Sequence, residues 1–124
     1  MSKTSDLLVA ASACLGFFAV ALGAFGAHGL EGKISAEAQG WWETATLYGL
    51  VHAAAALAIG LNAATRWTRR GGWALVTGSA LFAATLYTMA LGAPRWFGAI
   101  TPIGGLIMLA GWALLVASAF RSTD

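Results

Sequence analysis

The sequence predicts an all-α protein, a bundle of four transmembrane helices with both chain ends on the cytoplasmic side. Three observations lead there. Of its 124 residues, 59% are hydrophobic and only 10% are charged, whereas roughly a quarter of the residues of a soluble domain carry charge. The apolar residues gather into four runs, at residues 7–27, 44–64, 72–92 and 102–120, none of which contains Asp, Glu, Lys or Arg. Each run is close to the ~20 residues that an α-helix needs to cross a hydrocarbon core of ~30 Å. Finally, the basic residues are divided unevenly among the connecting segments, which sets an orientation. A dense soluble core is a poor alternative, because the apolar positions form runs instead of alternating with polar ones.

The first run competes with a secretory signal peptide, since Lys3 precedes it and Ala24-Phe25-Gly26-Ala27 supplies small residues near its end. It is much longer than the ~7–15 residues of a signal core, so a retained span is expected. The second run follows a wetter segment with Glu31, Lys33, Glu37 and Glu43. Ser35 is a plausible N-cap there, so the helix begins before the bilayer and enters it near Trp41 and Trp42. The third run follows the basic loop Arg66-Trp67-Thr68-Arg69-Arg70. Thr101-Pro102 marks the start of the fourth, with Thr101 as cap and Pro102 in the first turn, where its missing donor is not needed. Residues 93–98, with Trp96 and Phe97, read as a tight interfacial turn. The whole chain is thus expected to be a single membrane domain.

With four spans, Lys3, Arg66, Arg69, Arg70 and Arg121 share one side, against Lys33 and Arg95 on the other. Basic residues favour the cytoplasmic side, so both ends are expected inside. The formal charge of +2 is therefore a topology signal and gives no basic face for nucleic acid. The lone cysteine, Cys14, excludes an internal disulfide and reads as a small buried hydrophobe.

Lipid tails are as apolar as leucine, so helices in a bilayer associate through small residues and polar contacts. Ser12, Gly16, Ala19, Gly23 and Gly26 line one face of the first span, and Gly49, Ala53, Ala56, Gly60 and Ala63 line one face of the second. These stripes predict a close antiparallel pair. A thinner stripe, Gly104, Gly111 and Ser118, lies on the fourth.

His52 is the one residue of ionisable type (His, Asp, Glu, Lys, Arg) plainly at membrane depth, and such residues are rare and functional there. Thr44, Tyr48 and His52 recur every fourth residue, a polar stripe able to hydrogen-bond across the bundle. The bland reading is a neutral histidine satisfied by a neighbour. His28 reads as a polar helix end, and helical rise separates it from His52 by roughly 12 Å along the membrane normal, too far for a shared metal or haem. Thr77, Thr85 and Thr88, beside Tyr87, read as packing hydroxyls. No metal-ligand spacing, nucleophile elbow or phosphate loop occurs, so no catalytic residue, metal or cofactor is expected.

Taken together, Gly23-Ala24-Phe25-Gly26-Ala27-His28-Gly29-Leu30, Trp42-Glu43-Thr44-Ala45, Tyr48, His52-Ala53, Leu86-Tyr87 and Ile100-Thr101-Pro102-Ile103-Gly104-Gly105 carry a resemblance over nearly the whole chain. The chain resembles the domain-of-unknown-function 423 family, which includes YgdD-like bacterial inner-membrane proteins and the eukaryotic transmembrane protein 256. The resemblance implies a small multi-span membrane protein without an assigned activity. It marks His28, Trp42, Tyr48, His52, Tyr87, Thr101 and Pro102 of this sequence. Three function classes remain, in decreasing order of support. The first is an accessory or assembly subunit of a larger membrane complex, with Trp41, Trp42, Trp96 and Phe97 as contact residues at the outer end. The second is a small transporter or channel component using the polar face of the second span. The third is a membrane enzyme acting on a lipid or quinone through His28 or His52. The bilayer itself is an expected partner in every case.

Overall fold

Inside hydrocarbon every backbone N–H and C=O must be satisfied within its own segment, and each apolar run accordingly folds as one long helix. A computed structural model describes residues 3–62 and 65–121 of the chain. It comprises α1 (Lys3–His28), α2 (Ala36–Leu61), α3 (Arg66–Ala90), a 3-10 turn (Arg95–Ala99) and α4 (Thr101–Ser118). All four α-helices are long and apolar enough to cross a membrane.

The starts of the helices follow local chemistry. Ser35 caps α2, its hydroxyl accepting the Ala38 amide at 3.0 Å. α3 begins at Arg66, six residues before the expected 72, because Thr65 and Thr68 form a reciprocal capping box. The Thr65 hydroxyl accepts the Thr68 amide at 3.2 Å, and the Thr65 amide donates to the Thr68 hydroxyl at 2.8 Å. The expected basic loop is therefore the first turn of a helix, which arginine favours intrinsically. Thr101 is not a cap. Ile100 holds that position in a helical conformation, with no side-chain capping bond, because the preceding 3-10 turn feeds the chain directly into α4. The expected ends also shorten: α2 closes at Leu61 with Asn62 as cap, and α4 at Ser118. Ala63 of the second stripe and Ala64 lie outside the described residues.

Successive helices run antiparallel. Level with one another are Gly16 and Ala53 on α1 and α2, Thr46 and Tyr87 on α2 and α3, and Gly78 and Gly104 on α3 and α4. α3 is the hub: its backbone lies close to α1, α2 and α4, whereas the backbone of α4 comes close only to α3 and the 3-10 turn. Leu8, Ala56 and Leu75, all fully buried, centre the core near one end. Ser12 and Ser79 are buried there too, and each satisfies its hydroxyl on its own helix, with the Leu8 and Leu75 carbonyls.

The small residues set the helix spacing. Along α1 and α2, a Cβ on Gly49 would stand 3.3 Å from Ala19 Cβ, one on Gly16 3.6 Å from Ala53 Cβ, and one on Gly60 2.8 Å from Val9 Cγ2. The closest approach is elsewhere, between α3 and α4. A Cβ on Gly78 would meet the Gly104 carbonyl oxygen at 2.8 Å, and a Cβ on Gly111 the Gly71 oxygen at 3.0 Å. Backbone lies directly on backbone there. Cys14, expected to be buried, is exposed. Turning Ser12, Gly16 and Ala19 toward the core turns Cys14, about 200° around the helix from Ser12, toward lipid.

Candidate functional site

Two polar clusters lie within the bundle. The first locks α1, α2 and α3 together near the end that carries the 3-10 turn. Trp42 is 2% exposed, and its indole N–H donates to the Leu22 carbonyl at 2.6 Å. Its ring packs on Phe25 at 6.0 Å and edge-on to Tyr87 at 4.5 Å between centroids. Gly26 makes the space: any Cβ there would run into the indole. Beside it the Gln39 amide donates to the Gly26 carbonyl at 3.0 Å, and the Tyr87 hydroxyl pairs with the Thr46 hydroxyl at 2.7 Å. Trp42 is therefore an internal anchor and cannot serve as an outward contact, as the sequence led us to expect of it. A cleft of about 290 Å³ runs past this cluster, between Gly23, Gly26 and Ala27 on α1 and Gln39, Trp42, Thr46 and Leu50 on α2.

The second cluster surrounds His52, eight residues or about 12 Å by helical rise inside the apolar run that begins at Thr44. The imidazole is 5% exposed. Trp112 of α4 donates its indole N–H to Nε2 at 3.0 Å, and Nδ1 lies 2.8 Å from the Tyr48 carbonyl oxygen. An indole nitrogen can only donate, so Nε2 accepts and the ring proton sits on Nδ1, shared with the Tyr48 carbonyl. Both nitrogens are thereby satisfied, and the bond to Trp112 is a direct polar tie from α2 to α4. The Tyr48 ring stacks on the imidazole, with centroids 5.9 Å apart and planes 8° apart, and touches Phe82 at 4.7 Å.

Because the backbones of α2 and α4 stay apart and the helices meet through the His52 and Trp112 side chains, a groove of about 520 Å³ opens between them over Phe82 of α3. Tyr48 and His52 form one wall; Pro102, Gly105, Leu106, Leu109 and Trp112 form the other. The expected stripe is split by this geometry, since Tyr48 and His52 line the groove while Thr44 is exposed outside it.

The other marked residues lie apart from this groove or support it. His28 is exposed in the last turn of α1. Gly26 is level with Trp42, ten residues from His52, and His28 lies two residues further out, so the two histidines stand roughly 18 Å apart by helical rise. No group of three or more His, Cys, Asp or Glu among the described residues could hold a metal ion. The Thr101 hydroxyl pairs with that of Thr85 at 2.7 Å, bracing α4 on α3 next to the groove. Thr77 and Thr88 bond back to their own helix, at the Trp73 and Ala84 carbonyls. At the end that carries the 3-10 turn, Trp41 lies under the Arg95 guanidinium at 5.4 Å, and Arg95 bridges to Glu37 at 2.7 Å. Trp96 is 63% exposed and stands edge-on to Phe97, with ring centroids 4.6 Å apart.

Sequence reasoning missed Trp112, Thr46, Phe82 and the glycines of α3. A spacing of seven, shared by Gly71 and Gly78 on α3 and by Gly104 and Gly111 on α4, was the available signal for the last. No sequence signal pairs Trp112 with His52.

Four apolar helices whose buried polar side chains are bonded within the chain define a small polytopic integral membrane protein. A family model described as a protein of unknown function, DUF423, matches residues 22–105, and the chain belongs to that family. A UPF0382 membrane protein of Staphylococcus saprophyticus is 45% identical over 83% of this chain and 88% of its own length. One from Staphylococcus haemolyticus is 41% identical over 93% and 96%. The UPF0382 inner membrane protein YgdD of Escherichia coli is 38% identical over 95% and 92%. The chain is accordingly an integral protein of the bacterial inner membrane. No solved structure matches it.

Proposed function

We propose that this protein is a non-enzymatic subunit of a larger membrane assembly, docked through the end of the bundle that carries the 3-10 turn. Trp96 is the observation that carries this reading. It is 63% exposed, in a turn with no buried residue, yet Phe97 holds its ring from beside it. Arg95 in the same turn is fixed by Glu37 and Trp41. A large aromatic presented on a short pre-ordered turn is the kind of anchor on which interface energy concentrates, because little conformational freedom is left to lose on docking.

The distribution of charge supports the orientation. Lys3, Arg66, Arg69, Arg70 and Arg121 belong to the opposite end, where three of the arginines gather on the Trp67 ring. That end faces the cytoplasm, and the docking end faces away from it. Transport along the face of α2 has less support, because both nitrogens of His52 are engaged within the chain.

Native purification in mild detergent, from cells carrying either the wild-type chain or Trp96→Ala, tests the reading. A defined partner retained by the wild type and lost from an inserted, folded Trp96→Ala protein is the expected result. Purification of only the free chain or a homo-oligomer, where other membrane complexes survive, would overturn it.

A further inference from the structure

We infer that the end of the bundle where α3 begins and α4 finishes binds the phosphodiester headgroup of an acidic phospholipid, held by the guanidinium groups of Arg66, Arg70 and Arg121. The site lies at the opposite end from the 3-10 turn and stands or falls without the subunit role.

Charge comes first. Lys3, Arg66, Arg69, Arg70 and Arg121 share this end with only two acidic side chains, Asp6 and Asp124. Three of the arginines converge on one ring: the guanidinium carbons of Arg66, Arg70 and Arg121 stand 5.5, 5.4 and 4.2 Å from the centre of Trp67. Two parts of the chain supply them. Gly71 of α3 faces Leu115 and the Gly111 carbonyl of α4, which brings Arg121, just past α4, alongside the first turn of α3. Arg66 and Arg70 lie one turn apart on the same face of α3.

The two ends of the bundle answer arginine differently. At the 3-10 turn, Arg95 lies over Trp41 and is also bonded to the Glu37 carboxylate at 2.7 Å. Arg70 and Arg121 are exposed and lie over Trp67, with no carboxylate partner among the described residues. The indole attracts each cation but carries no net charge to offset their mutual repulsion. Phosphate matches the planar guanidinium fork bidentately, and an anion from outside the chain supplies that match.

Depth selects the kind of anion. The apolar run of α3 begins at Gly72, so Arg70 and Arg66 stand ~3 and ~9 Å beyond it by helical rise. The headgroup layer extends ~5–8 Å beyond the hydrocarbon on each side, which sets these guanidiniums at the level of lipid phosphates. Trp67 between them occupies the interfacial place that tryptophan favours. Phe120, next to Arg121, is 85% exposed, and Val116 one turn deeper is exposed too, an apolar surface for acyl chains. The ligand is thus an anion with hydrocarbon attached. A lipid whose phosphate charge is not cancelled by its own ammonium fits best, because no excess of carboxylates is at hand to receive one.

Native mass spectrometry of the full chain in mild detergent tests this, with dioleoylphosphatidylglycerol, dioleoylphosphatidylethanolamine and glycerol 3-phosphate as probes. One phosphatidylglycerol should bind saturably, about 10-fold more tightly than phosphatidylethanolamine, and an equal concentration of glycerol 3-phosphate should not displace it. Arg70→Gln and Arg121→Gln should each weaken binding about 5-fold, whereas Lys33→Gln at the opposite end should leave it unchanged. The double variant Arg70→Lys with Arg121→Lys keeps the charge but loses the planar forks, and should weaken binding about 3-fold or more. All three positions are exposed, so these changes leave the core intact. Equal affinity for the two lipids would overturn the proposal, as would displacement by glycerol 3-phosphate. Wild-type affinity in the glutamine variants would do the same, and in the lysine double variant it would show a diffuse field in place of a site.

Discussion

Adding one methyl group to Gly104 should loosen the bundle, and adding one to Gly105 should not. The Cβ of Gly104→Ala would lie 2.7 Å from both the Gly78 oxygen and the Phe82 nitrogen, and 3.0 Å from Phe82 Cα. All three atoms are backbone, so no side-chain rotation relieves the overlap. Reaching an ordinary contact of 3.4 Å requires α4 to move about 0.7 Å from α3, which also opens the neighbouring contact between Gly71 and Gly111. Overpacking of this kind costs ~1–3 kcal/mol, and the rigidity of the opposing atoms places Gly104→Ala in the upper half of that range. For Gly105→Ala the new methyl meets open space, and alanine is the better helix former, so stability should hold or rise slightly. Equilibrium unfolding in dodecyl maltoside titrated with SDS, followed by circular dichroism, measures both. Gly104→Ala within ~0.5 kcal/mol of wild type, or Gly105→Ala equally damaging, would refute the packing described for α3 and α4.

Further expectations concern the two polar clusters and the orientation. Trp42→Phe strips the hydrogen bond from the Leu22 carbonyl and leaves part of the Gly26 notch empty, so unfolding in the same assay should show a loss of ~1–3 kcal/mol. Thr46→Val and Tyr87→Phe each remove one side of a single hydrogen bond, and a double-mutant cycle should return a coupling of ~0.5–1.5 kcal/mol. Nitrogen-15 NMR of His52 should find the ring proton on Nδ1, and Trp112→Phe should abolish the shift that marks the accepted bond at Nε2. With Cys14 replaced, a cysteine at position 33 should label from the periplasm and one at position 68 should not.

The sequence made the helices legible because their driving forces are local. Hydrophobic run length places the spans, and Ser35 caps α2 as its hydroxyl and position require. The start of α3 was harder to read, since charge in the segment around Arg66 masked the Thr65 and Thr68 capping pair. Side-chain direction was less legible still. Trp41 and Trp42 look alike in the sequence, and only the notch at Gly26, on another helix, draws Trp42 inward while Trp41 stays at the rim under Arg95. His52 was legible as a residue at membrane depth. Its satisfaction by Trp112, sixty residues away, depends on how α4 docks on α3, which the spacing of seven in Gly104 and Gly111 hints at and the polar pattern does not. The groove follows from the same docking, because α4 sits against α3 and leaves α2 uncovered.

A photo-crosslinking residue at position 96, introduced as p-benzoylphenylalanine and irradiated in living cells, tests the proposed subunit role most directly. Position 17, equally exposed but on the outer face of α1, serves as the reference. The account predicts one discrete protein adduct from position 96 and none from position 17; no adduct at 96, or the same diffuse set of adducts from both positions, would contradict it.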